Sequence, residues 1–147
     1  MKIAMIGTRG VPARYGGFET AIEEIGQRMA RDGDEVLVYC RGAEEPIASY
    51  LGMELVHLPA VSGKAIETLS HTFLSILDLV VRRRRSIDVA IVFNSANSVF
   101  LPILRLFRIP VAVHVDGLEW QRAKWGTWGR RYYRMAEALA VRWADAL

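Results

Sequence analysis

The chain carries a single cysteine, Cys40, among its 147 residues. One thiol excludes an internal disulfide framework and fits a reducing compartment. Histidine is nearly as scarce: His57, His71 and His114, with Cys40, have no spacing that suits zinc, so no metal site is expected. No apolar run is long enough to span a bilayer, and the longest, Thr72 to Val81, is broken by Asp78. The amino terminus has no signal-peptide core, because Lys2 is followed by only four apolar residues before Gly7. Repeats, linkers and low-complexity tracts are absent. A soluble, cytoplasmic, one-domain protein is the expectation.

Apolar residues make up 52% of the chain, enough for a sizeable core. The charge is unevenly placed. Residues 1–73 hold 7 Lys+Arg against 10 Asp+Glu, and residues 74–147 hold 12 against 6. The basic half, with its run Arg82-Arg83-Arg84-Arg85, suggests an anionic partner such as a membrane surface. The same arginines at a helix carboxyl end also complement the helix dipole with no partner at all.

Strand-like and helix-like stretches alternate. Strands are expected at Lys2–Ile6, Glu35–Cys40, Leu55–Leu58, Asp88–Phe93 and Pro110–Val115. A helix from Phe18 stops at Gly33, with Phe18, Ala21, Ile22, Ile25 and Met29 inward and Gly26 permitting close packing. A long helix over Lys64–Arg84 presents the stripe Ile66, Leu69, Phe73, Leu77 and Val80. A helix over Ala96–Phe107 tolerates Pro102 only in its first turn. The last helix, Gly129–Ala144, buries Tyr132, Ala136, Leu139 and Trp143. Alternation of this kind predicts an α/β fold, a doubly wound, Rossmann-like parallel sheet flanked by helices. The terminal Ala144–Leu147 reads as the approach to another strand, which predicts a fragment of a longer protein.

Ligands meet such sheets beyond the carboxyl ends of the strands. The first of those loops holds Gly7, Gly10, Gly16 and Gly17 together with Arg9 and Arg14. It fits neither the dinucleotide fingerprint nor a Walker A loop. A strand, a glycine-rich turn and a helix start aim free backbone N–H groups at an anion, with the arginines adding charge. The bland alternative is glycines that only make a turn. The loop after the fifth strand, Asp116-Gly117-Leu118-Glu119-Trp120-Gln121-Arg122-Ala123-Lys124-Trp125, is both charged and aromatic. Such groups stack on sugars and bond hydroxyls. Alternatively, the tryptophans plug the core and Glu119 pairs with Arg122. Asn94 bonds a ligand or its own turn. His114 suits packing better than catalysis, and His57 and His71 suit surface or packing positions. Helical ion pairing with Arg130, Arg131 and Arg134 accounts for Glu137.

Three pieces of the sequence resemble the amino-terminal domain of GT-B-type glycosyltransferases, in the large retaining family numbered four. They are Tyr15-Gly16-Gly17-Phe18-Glu19, Asp32-Gly33-Asp34-Glu35-Val36 and Ile109-Pro110-Val111-Ala112-Val113. The Asp116-to-Trp125 string is similar to a bacterial subset described as rhamnosyltransferases of surface polysaccharide assembly. The resemblance implies that Gly16 and Gly17 donate backbone N–H groups to a donor diphosphate, beside Arg9 and Arg14. It implies that Asp116 stands where many members carry a catalytic-site histidine, with hydroxyl binding and charge stabilisation both open roles. It makes Asn94, Glu119, Trp120, Arg122, Lys124 and Trp125 candidates for acceptor or sugar contact. The substrate would be a nucleotide-diphosphate sugar, with no further cofactor, and the acceptor a lipid-linked or other glycan. The family's nucleotide pocket and paired glutamates sit in a C-terminal domain outside these residues, so the chain alone is expected to transfer no sugar and to work with that domain, soluble or peripheral at the inner face of the plasma membrane.

Two rivals remain. A nucleotide- or dinucleotide-binding module of an oxidoreductase keeps the fold, but Arg41 stands where an acid should hold a ribose. Nucleic-acid binding would use the arginines, but the acidic first half argues against it.

Overall fold

A computed structural model describes residues 1–14, 16–42, 46–63, 66–115, 117–123 and 125–147. In chain order the elements are β1 (Lys2–Ile6), α1 (Gly17–Arg31), β2 (Glu35–Arg41), β3 (Ser49–Tyr50), β4 (Met53–Leu58), α2 (Ile66–Asp78), β5 (Val89–Phe93), α3 (Leu101–Leu106), β6 (Val111–His114) and α4 (Thr127–Trp143). A π-helical turn, Leu79–Arg83, prolongs α2, and short 3-10 turns at Ser95–Phe100 and Glu119–Gln121 precede α3 and α4. The strands form one six-stranded sheet in the order β3-β4-β2-β1-β5-β6. Every pairing is parallel except β3 with β4.

The central strands read as near-continuous apolar runs because both faces are covered. Ala4, Ile6, Leu37, Tyr39, Val92 and Val113 face one side, under Ile76 and Leu79 of the α2 segment, Leu101 and Leu104 of α3, and Ala140 of α4. Met5, Val36, Val38 and Phe93 face the other, under Ile22 and its neighbours on α1. Right-handed crossovers explain the division. The chain leaves β1 through α1 toward β2, and returns through α2 and α3 toward β5 and β6. Connections therefore diverge between β1 and β5, and a crevice opens there at the carboxyl ends.

The sequence expectations hold for the sheet and for α1, whose Gly26 lies so close to β4 that a Cβ would stand 2.5 Å from the Met53 sulfur. Pro102 does sit in the first turn of α3. Elsewhere the structure differs. The expected third strand is present as β4, but a short β3 that was not expected pairs antiparallel with it through a turn in which Leu51 and Gly52 have positive φ. The buried side of α2 is His71, Thr72, Ser75 and Ile76, while Ile66, Phe73 and Leu77 of the expected stripe are exposed. The helix turns its small and polar side to the sheet, which the apolar periodicity concealed. On α4 the buried residues are Tyr133, Ala136 and Ala140, one position from part of the expected set. Glu137 makes no ion pair among the described residues, and its Oε1 is buried without a partner. Near the terminus Ala146 forms an isolated parallel bridge to Ala112 of β6. No helix among the described residues is long and apolar enough to cross a membrane.

Candidate functional site

The site begins where β1 ends. Gly7 has φ +106, and a Cβ there would lie 2.4 Å from the Phe93 carbonyl oxygen. Only glycine lets the chain turn this close to β5. The Asn97 side-chain amide holds the turn by donating to the carbonyl oxygens of Gly7 (3.2 Å) and Phe93 (2.8 Å).

The loop that follows was expected to hold free amides. The structure corrects this. Glu23 of α1 accepts from the Ala13 N–H at 2.7 Å, Glu19 accepts weakly from Arg9 N–H at 3.4 Å, and Thr8 Oγ1 accepts from Gly10 N–H at 3.0 Å. Three loop donors are thus engaged internally. At the amino end of α1 the N-cap is Gly16, which has no side chain to cap the helix. Gly16 is extended, with φ −167, a conformation any residue adopts, and a Cβ on Gly17 would meet nothing within 4 Å. Neither glycine is demanded by the turn. A Cβ on Gly16 would stand 3.1 Å from Glu19 Oε2, so a carboxylate of the first turn already sits at the positive end of the helix.

Two adjoining clefts lie at this edge. The larger, about 420 Å³, is lined by Arg9, Arg14, Glu19, Arg41, His57 and Glu67 among others. The smaller, about 130 Å³, sits over the β1–β5 divergence, between Gly7, Thr8, Phe18, Thr68 and Asn94. Arg9, Glu19, Arg41 and Glu67 line both. Arg41, the last residue of β2, is fixed by Glu67 at 2.8 Å and by the Thr68 hydroxyl, to which it donates at 2.7 Å. The His57 ring lies 2.9 Å from the Ile47 carbonyl oxygen and 3.4 Å from that of Arg41. Sequence reading missed the Arg41–Glu67 pair. Its partner lies across the sheet on α2, and no local spacing announces it. On α2, His71 is fully buried, and neither ring nitrogen meets the hydrogen-bond criteria with a partner among the described residues. Burial pushes its pKa below the ordinary histidine value, opposed by the nearby Cys40 backbone, and the neighbouring Arg41 charge adds to the lowering. Burial also raises the Cys40 thiol, which keeps it protonated and unreactive.

The structure brings Arg9, Arg14 and Asn94 to these clefts, whereas Gly16 and Gly17 are exposed and line neither of them. Asn94 also serves its own turn, accepting from the Ala96 N–H at 3.0 Å. His114 packs, stacked on Phe93 at 5.1 Å and edge-on to Phe18. None of Glu119, Trp120, Arg122 and Trp125 lines either cleft. Their described contacts knit the post-β6 loop to α4. The Trp125 indole donates to Glu119 at 3.1 Å, Arg122 pairs with Glu119 at 2.9 Å, Trp125 packs on Tyr133, and Arg134 lies 4.2 Å over the Trp120 ring. Burial, with Glu119 nearby, pushes the Tyr133 hydroxyl up to about 12. Asp116 and Lys124 lie outside the described residues. Among the described residues no group of three or more His, Cys, Asp or Glu gathers as metal ligands do.

A doubly wound sheet with a crevice at its switch point defines a Rossmann-like α/β domain. The chain belongs to the domain family of unknown function DUF1972, whose model matches residues 1–147. This domain is found at the amino terminus of glycosyltransferase-like proteins. No curated protein matches the chain significantly.

Proposed function

We propose that the chain is the acceptor-side domain of a retaining, nucleotide-sugar-dependent glycosyltransferase of family four, acting in cell-surface polysaccharide assembly. One observation carries the reading: Arg9 and Arg14 line the larger cleft, and Arg9 also lines the smaller one at the switch point, to which the first turn of α1 contributes Phe18 and Glu19. In glycosyl transfer the sugar carbon becomes oxocarbenium-like as the diphosphate departs. The helix amides at Gly16–Gly17 and the two guanidinium groups would stabilise the leaving charge. Asp116 would act at the sugar. Asn94 and the post-β6 loop would contact sugar or acceptor hydroxyls. The rhamnosyl assignment rests on the resemblance of the Asp116-to-Trp125 string alone. The domain is proposed to be inactive without its C-terminal partner domain.

Amide NMR on the chain titrated with pyrophosphate, thymidine diphosphate and uridine diphosphate tests this. Saturable shifts centred on Gly16, Gly17 and Arg14, weakened severalfold by Arg14→Ala, are expected. Shifts that avoid the start of α1, or tight binding of NADP across Arg41, would replace the reading with the oxidoreductase rival.

A further inference from the structure

Arg41 stands on the wall of both clefts, held there by two residues of α2. Glu67 takes one of its terminal nitrogens at 2.8 Å, and the Thr68 hydroxyl accepts from the other at 2.7 Å. His71 follows Glu67 at the spacing of one helical turn, so the two share a side of α2. The Arg41 side chain is 13% exposed and that of Glu67 33%, while His71 is fully buried. Arg41 Nε and both ring nitrogens of His71 are buried without a hydrogen-bond partner among the described residues.

The charged surroundings of His71 are simple. From β2 come Arg41 and Cys40, with Tyr39 turned to Asp78, to which its hydroxyl donates at 2.9 Å; from α2 comes Glu67. The 3-10 turn Ser95–Phe100, packed on α2, has no ionisable side chain. On β1 the one charge is Lys2, at the start of the strand and paired with Glu35 at 3.1 Å. On β4, Glu54 pairs with Arg83, and the His57 ring lies against the Ile47 and Arg41 carbonyl oxygens.

Burial opposes a proton on His71 most strongly; the Cys40 backbone favours it, the Arg41 charge opposes it and the Glu67 carboxylate favours it. One carboxylate therefore serves two competing cations. If Arg41 leaves Glu67, a repulsion is lost and the carboxylate is freed, and both changes favour the imidazolium. An oxyanion in the clefts supplies the reason for Arg41 to leave, since a guanidinium binds it in the same forked manner.

We propose that Arg41 and His71 hold Glu67 alternately, so that an oxyanion which draws Arg41 into the cleft passes Glu67 to a protonated His71, and anion capture takes up a proton from solvent. Linkage makes the relation reciprocal, and acid therefore tightens the site. This coupling rests on the reading of the clefts as an oxyanion site, not on glycosyl transfer. A histidine kept for packing alone carries no such coupling.

Sulfate is the probe, because its charge is constant between about pH 7.5 and about pH 5.5, where histidine titrates. Calorimetry in buffers of different ionisation enthalpy should show net proton uptake on binding, with affinity at least ~threefold higher at the acid end. His71→Leu should abolish both effects. His57→Gln, which removes the other imidazole of the cleft, should keep them. Glu67→Gln should bind sulfate more tightly than the parent at the alkaline end, with no proton uptake, because Arg41 is already released; this variant carries the test if His71→Leu does not fold. Binding without proton uptake, uptake that survives His71→Leu, or uptake lost in His57→Gln would overturn the proposal. If sulfate does not bind, the oxyanion reading of the clefts falls, and the alternation is read without ligand from the Arg41 Nε–H resonance. It should move over the same pH range in the parent and stay fixed in His71→Leu; a resonance fixed in both overturns the alternation itself.

Discussion

Asn97 reaches back across ninety residues of sequence to Gly7, donating from its side-chain amide to the Gly7 carbonyl at 3.2 Å. The same amide holds Phe93. One fully buried side chain thus fixes β1 to β5 at the mouth of the smaller cleft. Asn97→Ala strands two buried acceptors and is expected to cost about 2–3 kcal/mol. A lowered urea midpoint with an unchanged slope is the expected result.

Two glycines on the same helix separate packing from ligand access. Gly26→Ala pushes a methyl against the Met53 sulfur. Overpacking there should outweigh the helix propensity gained, for a net loss of about 1–2 kcal/mol. Gly17→Ala meets open space, so stability should change by less than about 0.5 kcal/mol. Pyrophosphate binding should nevertheless weaken, because the methyl stands over the helix start. Thermal melts and an NMR titration of the two variants check both halves.

Glu119 is the junction of the post-β6 loop, buried between Trp125 and Arg122. Glu119→Ala removes the carboxylate that the Trp125 indole and Arg122 share and should cost about 1–3 kcal/mol, whereas Glu119→Gln keeps an acceptor for the indole and should cost less. The Gln variant should also lower the Tyr133 pKa, since the nearby carboxylate helps to raise it. Denaturation midpoints and alkaline absorbance titration are the measurements.

His71 gives the fold an acid sensitivity. Its folded pKa lies below its unfolded value of 6.5, so the unfolded chain binds the proton more readily. Stability from this residue is therefore full above about pH 6.5 and is lost as pH falls below it. His71→Leu should flatten the stability profile between about pH 7 and pH 5 relative to the parent protein. Equal slopes in urea melts across that window would refute the assignment.

The sheet was legible because strands covered on both faces must be apolar throughout, as Ile3–Ile6 and Val36–Cys40 are. The helix face of α2 was not, since Thr72, Ser75 and His71 pack inward while Phe73 and Leu77 face out. Periodicity reads hydrophobicity, and here small polar groups allow the close approach. The glycine loop could be located, but not its internal hydrogen bonds: Glu19 and Glu23 look like a solvated helix face until the loop folds over them. The Arg41–Glu67 pair depends on α2 returning beside the end of β2, a relation that no local motif encodes.

The Glu23 carboxylate on the Ala13 amide has a further consequence. It holds the loop in shape before any substrate arrives, so little ordering entropy is charged against binding. An arriving oxyanion also finds a resident carboxylate, Glu19, at the Arg9 amide. Occupancy of that amide becomes an exchange of one anion for another, and deleting the Glu19 carboxylate would tune affinity while Glu23 keeps the loop in shape.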